Sequence, residues 1–171
     1  PLAFYASDQV HNCHFKAMNI LGLGRKALRD VPTDAAFCMD IAALERMIAA
    51  DKTQGIRPAC VIATAGTTNT GAVDDLNAIA DICAREGIWM HVDGCIGALL
   101  TIAPENAALV RGIERADSLA LDLHKWLHAP FEVGCALVRN ASAHLKTFSL
   151  TPEYLVHAAR GISAGSRFRS R

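Results

Sequence analysis

An apolar segment in the middle of the chain limits the possible folds more than any other feature. Residues 59–63, Ala-Cys-Val-Ile-Ala, carry no charged or hydrogen-bonding side chain apart from one thiol, and they run into Thr64 and a glycine-containing loop. A strand that is apolar at every position, rather than at every second one, is typical of a sheet that is covered on both faces. Helices provide that cover in proteins with a mostly parallel sheet, so this segment predicts an α/β fold.

Further strands and helices are predicted in alternation on either side of this segment. Hydrophobic patterns predict five more strands, at 2–6, 26–31, 88–92, 118–121 and 134–139. Capping residues and apolar stripes predict helices at 9–21, from Asp40 to before Gly55, from Asp74 or Asp75 to Gly87, at 104–110 and at 142–148. This order predicts a mostly parallel sheet with helices on both faces. The ligand site of such a sheet lies beyond the carboxyl ends of its strands.

Composition and charge exclude several classes of function. The chain has 171 residues, of which 51% are hydrophobic and 20% charged, enough to form a core. Lys plus Arg and Asp plus Glu both number 17, which argues against a nucleic-acid-binding surface or a basic membrane patch. No apolar run is long enough to cross a bilayer. The six cysteines form no Cys-x-x-Cys pair, so we predict reduced thiols in a cytoplasmic protein.

Two of the predicted strands end in residues that carry chemistry. The strand at 118–121 runs into Lys125 three residues after Asp122, and the strand at 88–92 runs into Asp93. Because the ends of parallel strands meet at one edge, Lys125 and Asp93 are expected to share a site. A lysine amine can condense with an aldehyde when burial disfavours its ammonium form.

Pyridoxal 5'-phosphate (PLP) is the aldehyde cofactor that this pair of residues suits. It requires one lysine, an acid against its ring nitrogen and donors for its phosphate. Asp93 would keep the ring nitrogen protonated, so that the ring can accept electrons. Thr67, Thr68 and His124 are suitable donors for the ring oxygen or the phosphate. We therefore predict PLP as the cofactor.

A metal site is the competing interpretation. His91 and Asp93 form a His-x-Asp pair that His124 could complete, but Lys125 would then place a cation beside the metal. We therefore predict no metal. His14 is interpreted as a structural or surface residue. A Ser-His-Asp hydrolase is not supported, because the chain has no Gly-x-Ser-x-Gly elbow.

Three motifs in this order resemble those of the group II PLP-dependent decarboxylases, which include aromatic-L-amino-acid, histidine and glutamate decarboxylases. They are Gly66-Thr-Thr-Asn-Thr-Gly71, Ile88-Trp-Met-His-Val-Asp93 and Asp122-Leu-His-Lys-Trp-Leu127. The resemblance covers about residues 5–155. It implies the PLP type I (aspartate aminotransferase-like) large domain, with its core over 1–155 and a tail over 156–171.

The resemblance also implies roles for the catalytic residues. Lys125 would bind the cofactor as a Schiff base, and Asp93 would pair with its ring nitrogen. His11, in a segment similar to the one that carries the ring-stacking histidine of the family, would stack on the ring near the substrate carboxylate.

Four further residues are implied to bind the cofactor. Thr68 would contact it, His124 and Asp122 would lie near its phosphate, and Cys95 would lie under its ring. Two of these depart from the family pattern, because aromatic decarboxylases have asparagine where Asp122 stands and alanine is usual in place of Cys95. The local pattern His-Val-Asp-x-Cys-x-Gly also resembles sphingosine-phosphate lyase.

The predicted function is PLP-dependent decarboxylation of an L-amino acid, with an aromatic substrate favoured and a homodimer implied by the resemblance. The alternatives are a PLP-dependent lyase or aminotransferase of the same fold, or a truncated non-catalytic fragment. The chain starts without Met inside a predicted strand, so we expect residues to be missing upstream. Segments 151–155 and 167–170 resemble those flanking a mobile catalytic loop, but the join at 157–166 is short and has no tyrosine.

Overall fold

The computed structural model describes residues 1–149. Within them the chain forms six strands: β1 Leu2–Ser7, β2 Leu28–Val31, β3 Arg57–Thr64, β4 Trp89–Asp93, β5 Ser118–Asp122 and β6 Gly134–Val138. The same residues form four α-helices: α1 Cys13–Ile20, α2 Ile41–Thr53, α3 Leu76–Glu86 and α4 Ala141–Phe148. Four short 3₁₀ helices lie at Arg25–Ala27, Gly97–Ile102, Ala107–Val110 and Ile113–Arg115.

The strands form one sheet in the order β2-β1-β3-β4-β5-β6. The first five are parallel to their neighbours, and β6 is antiparallel to β5. The pairing places Thr64 of β3 beside Asp93 of β4, and Asp93 beside Ala120 of β5. The carboxyl ends of these three strands therefore meet at one edge, as the sequence predicts.

Helices cover the two faces of the sheet. Val61 of β3 packs in a buried cluster with Leu44 of α2 and Ile79 of α3. Its neighbour Ile62 belongs to a second cluster, with Met18 of α1. Because successive strand residues point to opposite faces, α1 covers one face while α2 and α3 cover the other. The predicted α/β architecture with helices on both faces is confirmed.

The predicted ends of α2 and α3 are confirmed. Asp40 accepts a hydrogen bond from the Ala43 amide, and Asp75 accepts one from the Ala78 amide, each at 3.0 Å. Both are side-chain caps that satisfy amides left without partners in the first turn. Gly87 ends α3 with a φ of 67°, a conformation that glycine adopts without strain.

The predicted helix at 9–21 is wrong at its start, since α1 begins at Cys13. The Asp8 amide donates to the Val31 carbonyl and the Val10 amide donates to the Ser7 carbonyl, each at 3.0 Å. These bonds hold the chain in a turn between β1 and α1. Tertiary contact with β2 thus overrides the local capping signal at residues 7 and 8.

Two other predicted elements also differ. The helix predicted at 104–110 is a 3₁₀ turn at Ala107–Val110, and residues 26 and 27 of the strand predicted at 26–31 belong to the 3₁₀ turn Arg25–Ala27. The 3₁₀ helix Gly97–Ile102 was not predicted. Glycine and proline residues break the chain between β4 and β5 into pieces that are too short to nucleate an α-helix.

Helix α4 belongs to a second compact unit that begins at Asn140. The Asn140 side chain accepts a hydrogen bond from the Ala143 amide at 2.9 Å and caps the helix, which confirms the helix predicted at 142–148. The predicted tail at 156–171, its boundary after 155 and the segments compared with the catalytic-loop region lie outside the described residues. Within residues 1–149 no helix combines the length and apolarity needed to cross a membrane.

A buried polar group ties β1, β2 and α2 together. Asp51 is 7% exposed and accepts hydrogen bonds from the Tyr5 hydroxyl at 2.8 Å and from Arg29 Nε at 3.0 Å. Burial alone would raise the pKa of Asp51, but the bonds from Arg29 and Tyr5 lower it overall. The carboxylate therefore stays charged while it anchors β1, the strand that leads into the predicted site.

Replacing Tyr5 with Phe should destabilise the protein by about 1–2 kcal/mol, because a buried carboxylate loses one donor while Arg29 remains. Urea unfolding followed by circular dichroism measures the change. Thr53→Val, which removes an exposed hydroxyl at the end of α2, is the control and should change stability by less than about 0.5 kcal/mol. Equal effects of the two substitutions would contradict the assigned role of Asp51.

Candidate active site

A cavity of about 260 Å³ lies where β3, β4 and β5 end. Thr64 pairs with Asp93, Asp93 pairs with Ala120, and Asp122 follows Ala120 by two residues. Because paired residues, and residues two apart on one strand, point to the same side, Thr64, Asp93 and Asp122 lie on the same face of the sheet. All three line the cavity. The structure brings six of the seven predicted cofactor-binding residues to its walls: His11, Thr68, Asp93, Cys95, Asp122 and Lys125.

Asp93 is held from two sides. Its Oδ2 lies 2.9 Å from His14 Nε2, and its Oδ1 accepts from the Cys95 amide at 3.3 Å. Burial alone would raise the pKa of Asp93, but the hydrogen bonds from His14 and Cys95 hold it well below its usual range. Asp93 is therefore a carboxylate that can accept a further hydrogen bond from a protonated ring nitrogen.

Sequence reasoning missed His14. It was interpreted as structural or surface, whereas its side chain is 14% exposed and contacts Asp93. The feature of the sequence that could have indicated its role is its spacing of three residues from His11. In the structure the His14 amide donates to the His11 carbonyl at 3.2 Å. One turn therefore carries both histidines to the site.

Lys125 forms an ion pair with Asp122. Its Nζ lies 2.7 Å from Asp122 Oδ2, and its side chain is 39% exposed. Burial alone would lower the pKa of Lys125, but the hydrogen bond to Asp122 raises it overall. The expected effect of burial is therefore present, but it does not decide the pKa of Lys125 in the protein without a ligand. Asp122, three residues earlier in the chain, reverses the effect.

The loop after β3 separates the roles of two neighbouring threonines. Thr67 is 2% exposed, its Oγ1 lies 2.6 Å from Thr70 Oγ1, and it accepts from the Ala72 amide at 3.1 Å. The Thr67 hydroxyl thus stabilises the loop instead of serving as a free donor. Thr68 is exposed and lines the cavity, where it is available to a ligand.

The base of this loop is tied down by Asp74. The buried Asp74 carboxylate accepts from the Thr64 and Met39 amides, each at 2.7 Å. The loop therefore starts and ends at fixed points, which positions Thr68 relative to the strand edge.

Cys95 lies in a tight segment between Asp93 and Gly97. The Gly97 amide donates to the Ala65 carbonyl at 2.9 Å, and a Cβ at Gly97 would lie 2.4 Å from that oxygen. Glycine is therefore required at 97 for this segment to pack against the end of β3. Burial, followed by the charge of Asp93, raises the pKa of Cys95, so the thiol stays protonated.

His124 is the one predicted cofactor-binding residue outside the cavity walls. Its Nδ1 accepts from the Val133 amide at 3.1 Å, and its ring packs edge-on against Phe131 at 4.9 Å between centroids. It therefore stabilises the segment between β5 and β6. Its contact with a phosphate stays a prediction.

The competing metal site does not assemble from the predicted residues. Within residues 1–149 the potential metal ligands that lie within 4.8 Å of one another are Cys13, His14 and Asp93. His91 instead lies with Nδ1 2.8 Å from Ser118 Oγ. Burial, followed by the charge of Asp93, raises the pKa of Cys13, which opposes the thiolate that a metal would require.

The residues present suit PLP. Asp93 supplies a charged carboxylate and Lys125 an amine on the walls of one cavity, which is the pair that the cofactor needs. The Thr64 hydroxyl is buried and has no hydrogen-bond partner within the described part of the chain. Because a buried polar atom without a partner is costly, a polar ligand atom would be favoured there.

Comparison with known proteins agrees with this geometry. The sequence profile described as the pyridoxal-dependent decarboxylase conserved domain matches residues 1–169. The aromatic-L-amino-acid decarboxylase of Bacillus atrophaeus is 43% identical over 164 residues, which is 96% of this chain and 34% of that protein. The histidine decarboxylase of Rattus norvegicus is 38% identical over 162 residues, 95% of this chain and 24% of that protein.

A solved structure shows the same likeness in three dimensions. Oryza sativa TDC, solved with PLP and tryptamine, matches with a TM-score of 0.85 and 38% identity over 92% of this chain and 33% of that one. The fold is that of a PLP type I large domain. The chain belongs to the pyridoxal-dependent decarboxylase family. It spans about a third of the length of these relatives.

Asp122→Asn should lower the pKa of the Lys125 amine in the cofactor-free protein, because the neutral amide no longer stabilises the ammonium form. Reductive methylation with ¹³C-formaldehyde, followed by NMR titration of the labelled lysines, measures this pKa. Asp81→Asn, at an exposed ion pair with Arg115, is the matched control and should leave Lys125 unchanged. An unaltered Lys125 titration in Asp122→Asn would show that the ion pair has no influence on the amine.

Proposed function

We propose that the protein is a PLP-dependent decarboxylase that converts an L-amino acid to the corresponding amine and carbon dioxide. The observation that carries the proposal is the placement of Lys125 and the charged Asp93 on the walls of one cavity at the carboxyl edge of a parallel sheet. Membership of the decarboxylase family supports the reaction type.

PLP, when bound, supplies an electron sink for the charge that develops at the substrate Cα. Asp93 would hold the cofactor by accepting a hydrogen bond from its ring nitrogen, and its low pKa keeps that nitrogen protonated. His11 and Thr68 both line the cavity, where they can orient a planar ligand. Much of the rate would come from this orientation.

Lys125 must lose a proton before its amine can act as a nucleophile. Asp122 holds that proton in place by stabilising the ammonium form, and Asp122 itself is kept charged by Lys125 although burial opposes this. Attachment of the cofactor therefore requires Lys125 to leave Asp122. Asp122 would also have to turn away from the anionic phosphate of the cofactor, because like charges repel.

We favour an aromatic amino acid as the substrate. The support is the similarity to the aromatic-L-amino-acid decarboxylase of Bacillus atrophaeus and to Oryza sativa TDC, whose structure contains tryptamine. Histidine is the next choice, because a histidine decarboxylase is 38% identical. A homodimeric assembly and a cytoplasmic location stay predictions.

A PLP-dependent lyase is the second candidate. The observation that favours it is Cys95, which lines the cavity within the pattern that resembles sphingosine-phosphate lyase. An aminotransferase or a non-catalytic fragment of the same fold would retain the same lysine and aspartate. The lyase and the aminotransferase would differ from the decarboxylase in their products, and a non-catalytic fragment would form none.

Lys125→Ala should abolish covalent attachment of PLP, because the remaining cavity residues offer no primary amine. The protein is incubated with PLP and reduced with borohydride, and the modified peptide is identified by mass spectrometry. Lys16→Ala, at an exposed lysine on α1, is the control and should leave the modification unchanged. Modification of the Lys125→Ala protein to the same extent would refute the assignment of the lysine.

Product analysis separates the candidate reactions. With PLP and L-tryptophan or L-tyrosine, the proposal predicts one carbon dioxide and one amine for each amino acid consumed, and Lys125→Ala should reduce the rate by at least about 10³-fold. Chromatography of the amine and trapping of the gas measure both products. A keto acid would point to transamination, and an aldehyde from cleavage of the Cα–Cβ bond would point to the lyase.

A further inference from the structure

We propose that His14 is a positioning residue, which keeps the Asp93 carboxylate charged and oriented toward the ring nitrogen of the cofactor. The inference rests on the proposed function and deepens it, since the motifs that resemble the family assign no role to residue 14. Three features of the structure carry it: the contact with Asp93, the turn that places His14, and the environment of the neighbouring histidine.

The contact is short and shielded from water. His14 Nε2 lies 2.9 Å from Asp93 Oδ2, and the two side chains are 14% and 9% exposed. Asp93 lines the cavity whereas His14 does not. Because a hydrogen bond to a charged acceptor is stronger in such surroundings, this contact can fix the carboxylate, whose remaining lone pairs can still accept a hydrogen bond from a ligand.

The turn before α1 makes the position of His14 rigid. His14 is the second residue of α1, and its amide donates to the carbonyl of His11 at 3.2 Å. The helix is anchored to the sheet through Met18, which is 4% exposed. The orientation of Asp93 is thus coupled to the turn that brings His11 to the cavity wall.

His91 is close to this pair but does not compete with it. Its ring centroid lies 6.2 Å from that of His14, and burial, followed by the charge of His14, lowers the pKa of His91. Trp89 Nε1 donates to Ser118 Oγ at 2.8 Å, which lets the Ser118 hydroxyl donate its own hydrogen to His91 Nδ1 at 2.8 Å. His91 is therefore a neutral neighbour, and His14 is the partner of Asp93.

The test compares two substitutions at residue 14. His14→Gln keeps an N–H donor near the position of Nε2, whereas His14→Leu keeps the size and removes the donor. His144→Leu, at an exposed histidine, is the matched control. We measure the Kd for PLP by absorbance titration, and the protonation of the ring nitrogen by ¹⁵N NMR of bound ¹⁵N-labelled PLP.

His14→Leu should weaken PLP binding by about ten-fold and shift the ring nitrogen toward its unprotonated signal, as expected when one hydrogen bond to a charged group is lost. His14→Gln should restore the Kd to within about three-fold of the parent value and return the ring-nitrogen signal to that of the parent. In an Asp93→Ala background, His14→Leu should change the Kd by less than about two-fold, because the group that it positions is gone.

Two results would overturn the role of His14 alone: a PLP affinity and ring-nitrogen signal that His14→Leu leaves unchanged, or an equal loss with and without Asp93. The second result would indicate a purely structural contribution. Failure of the parent protein to bind PLP would instead remove the proposed function and the inference together. Borohydride trapping at Lys125 distinguishes these cases, because it reports cofactor attachment independently of residue 14.

Discussion

The parallel pairing of β3, β4 and β5 is the constraint on which the site depends. It sets Thr64, Asp93 and Ala120 side by side, so that residues far apart in the chain reach one edge. The last five residues of β3 are buried on both faces of the sheet, and a shift of one residue in β4 would turn Asp93 from the cavity into the apolar cluster beneath α2 and α3. The burial of the core therefore fixes the register that the chemistry requires.

The charged groups at this edge of the sheet form two separate pairs, each with one carboxylate. Asp93 is matched by His14 and Asp122 by Lys125, so each carboxylate is stabilised by a different element of the fold. The first pair joins β4 to α1 and is largely buried. The second joins the last residue of β5 to the segment that follows it and is more exposed. The acid that the proposed function requires to be charged is thus the more buried of the two, and the lysine that it requires to change partners is the more accessible.

Local patterns in the sequence predicted the fold class, the sheet edge and the placement of Asp93 and Lys125, whereas His11, Cys95 and Asp122 were predicted from the resemblance to the family. An all-apolar strand, capping aspartates such as Asp40 and Asp75, and polar residues at strand ends each carry their signal within a few positions. The start of α1 could not be predicted, since hydrogen bonds to β2 override the cap at residue 7 or 8. His14 was missed for the same reason, because its partner is 79 residues away. The ion pair that raises the pKa of Lys125 could not be predicted, because the conformation after β5, which brings Asp122 to its amine, is not visible in a hydrophobic pattern.

The ion pair between Lys125 and Asp122 has a consequence for chemical selectivity. A free neutral amine in an open cavity would condense with any small aldehyde that reached it. An amine held as an ammonium ion is not nucleophilic, so an uncharged aldehyde that enters the cavity would not react with Lys125. The carboxylate would therefore slow condensation of Lys125 with adventitious aldehydes for as long as the ion pair is intact.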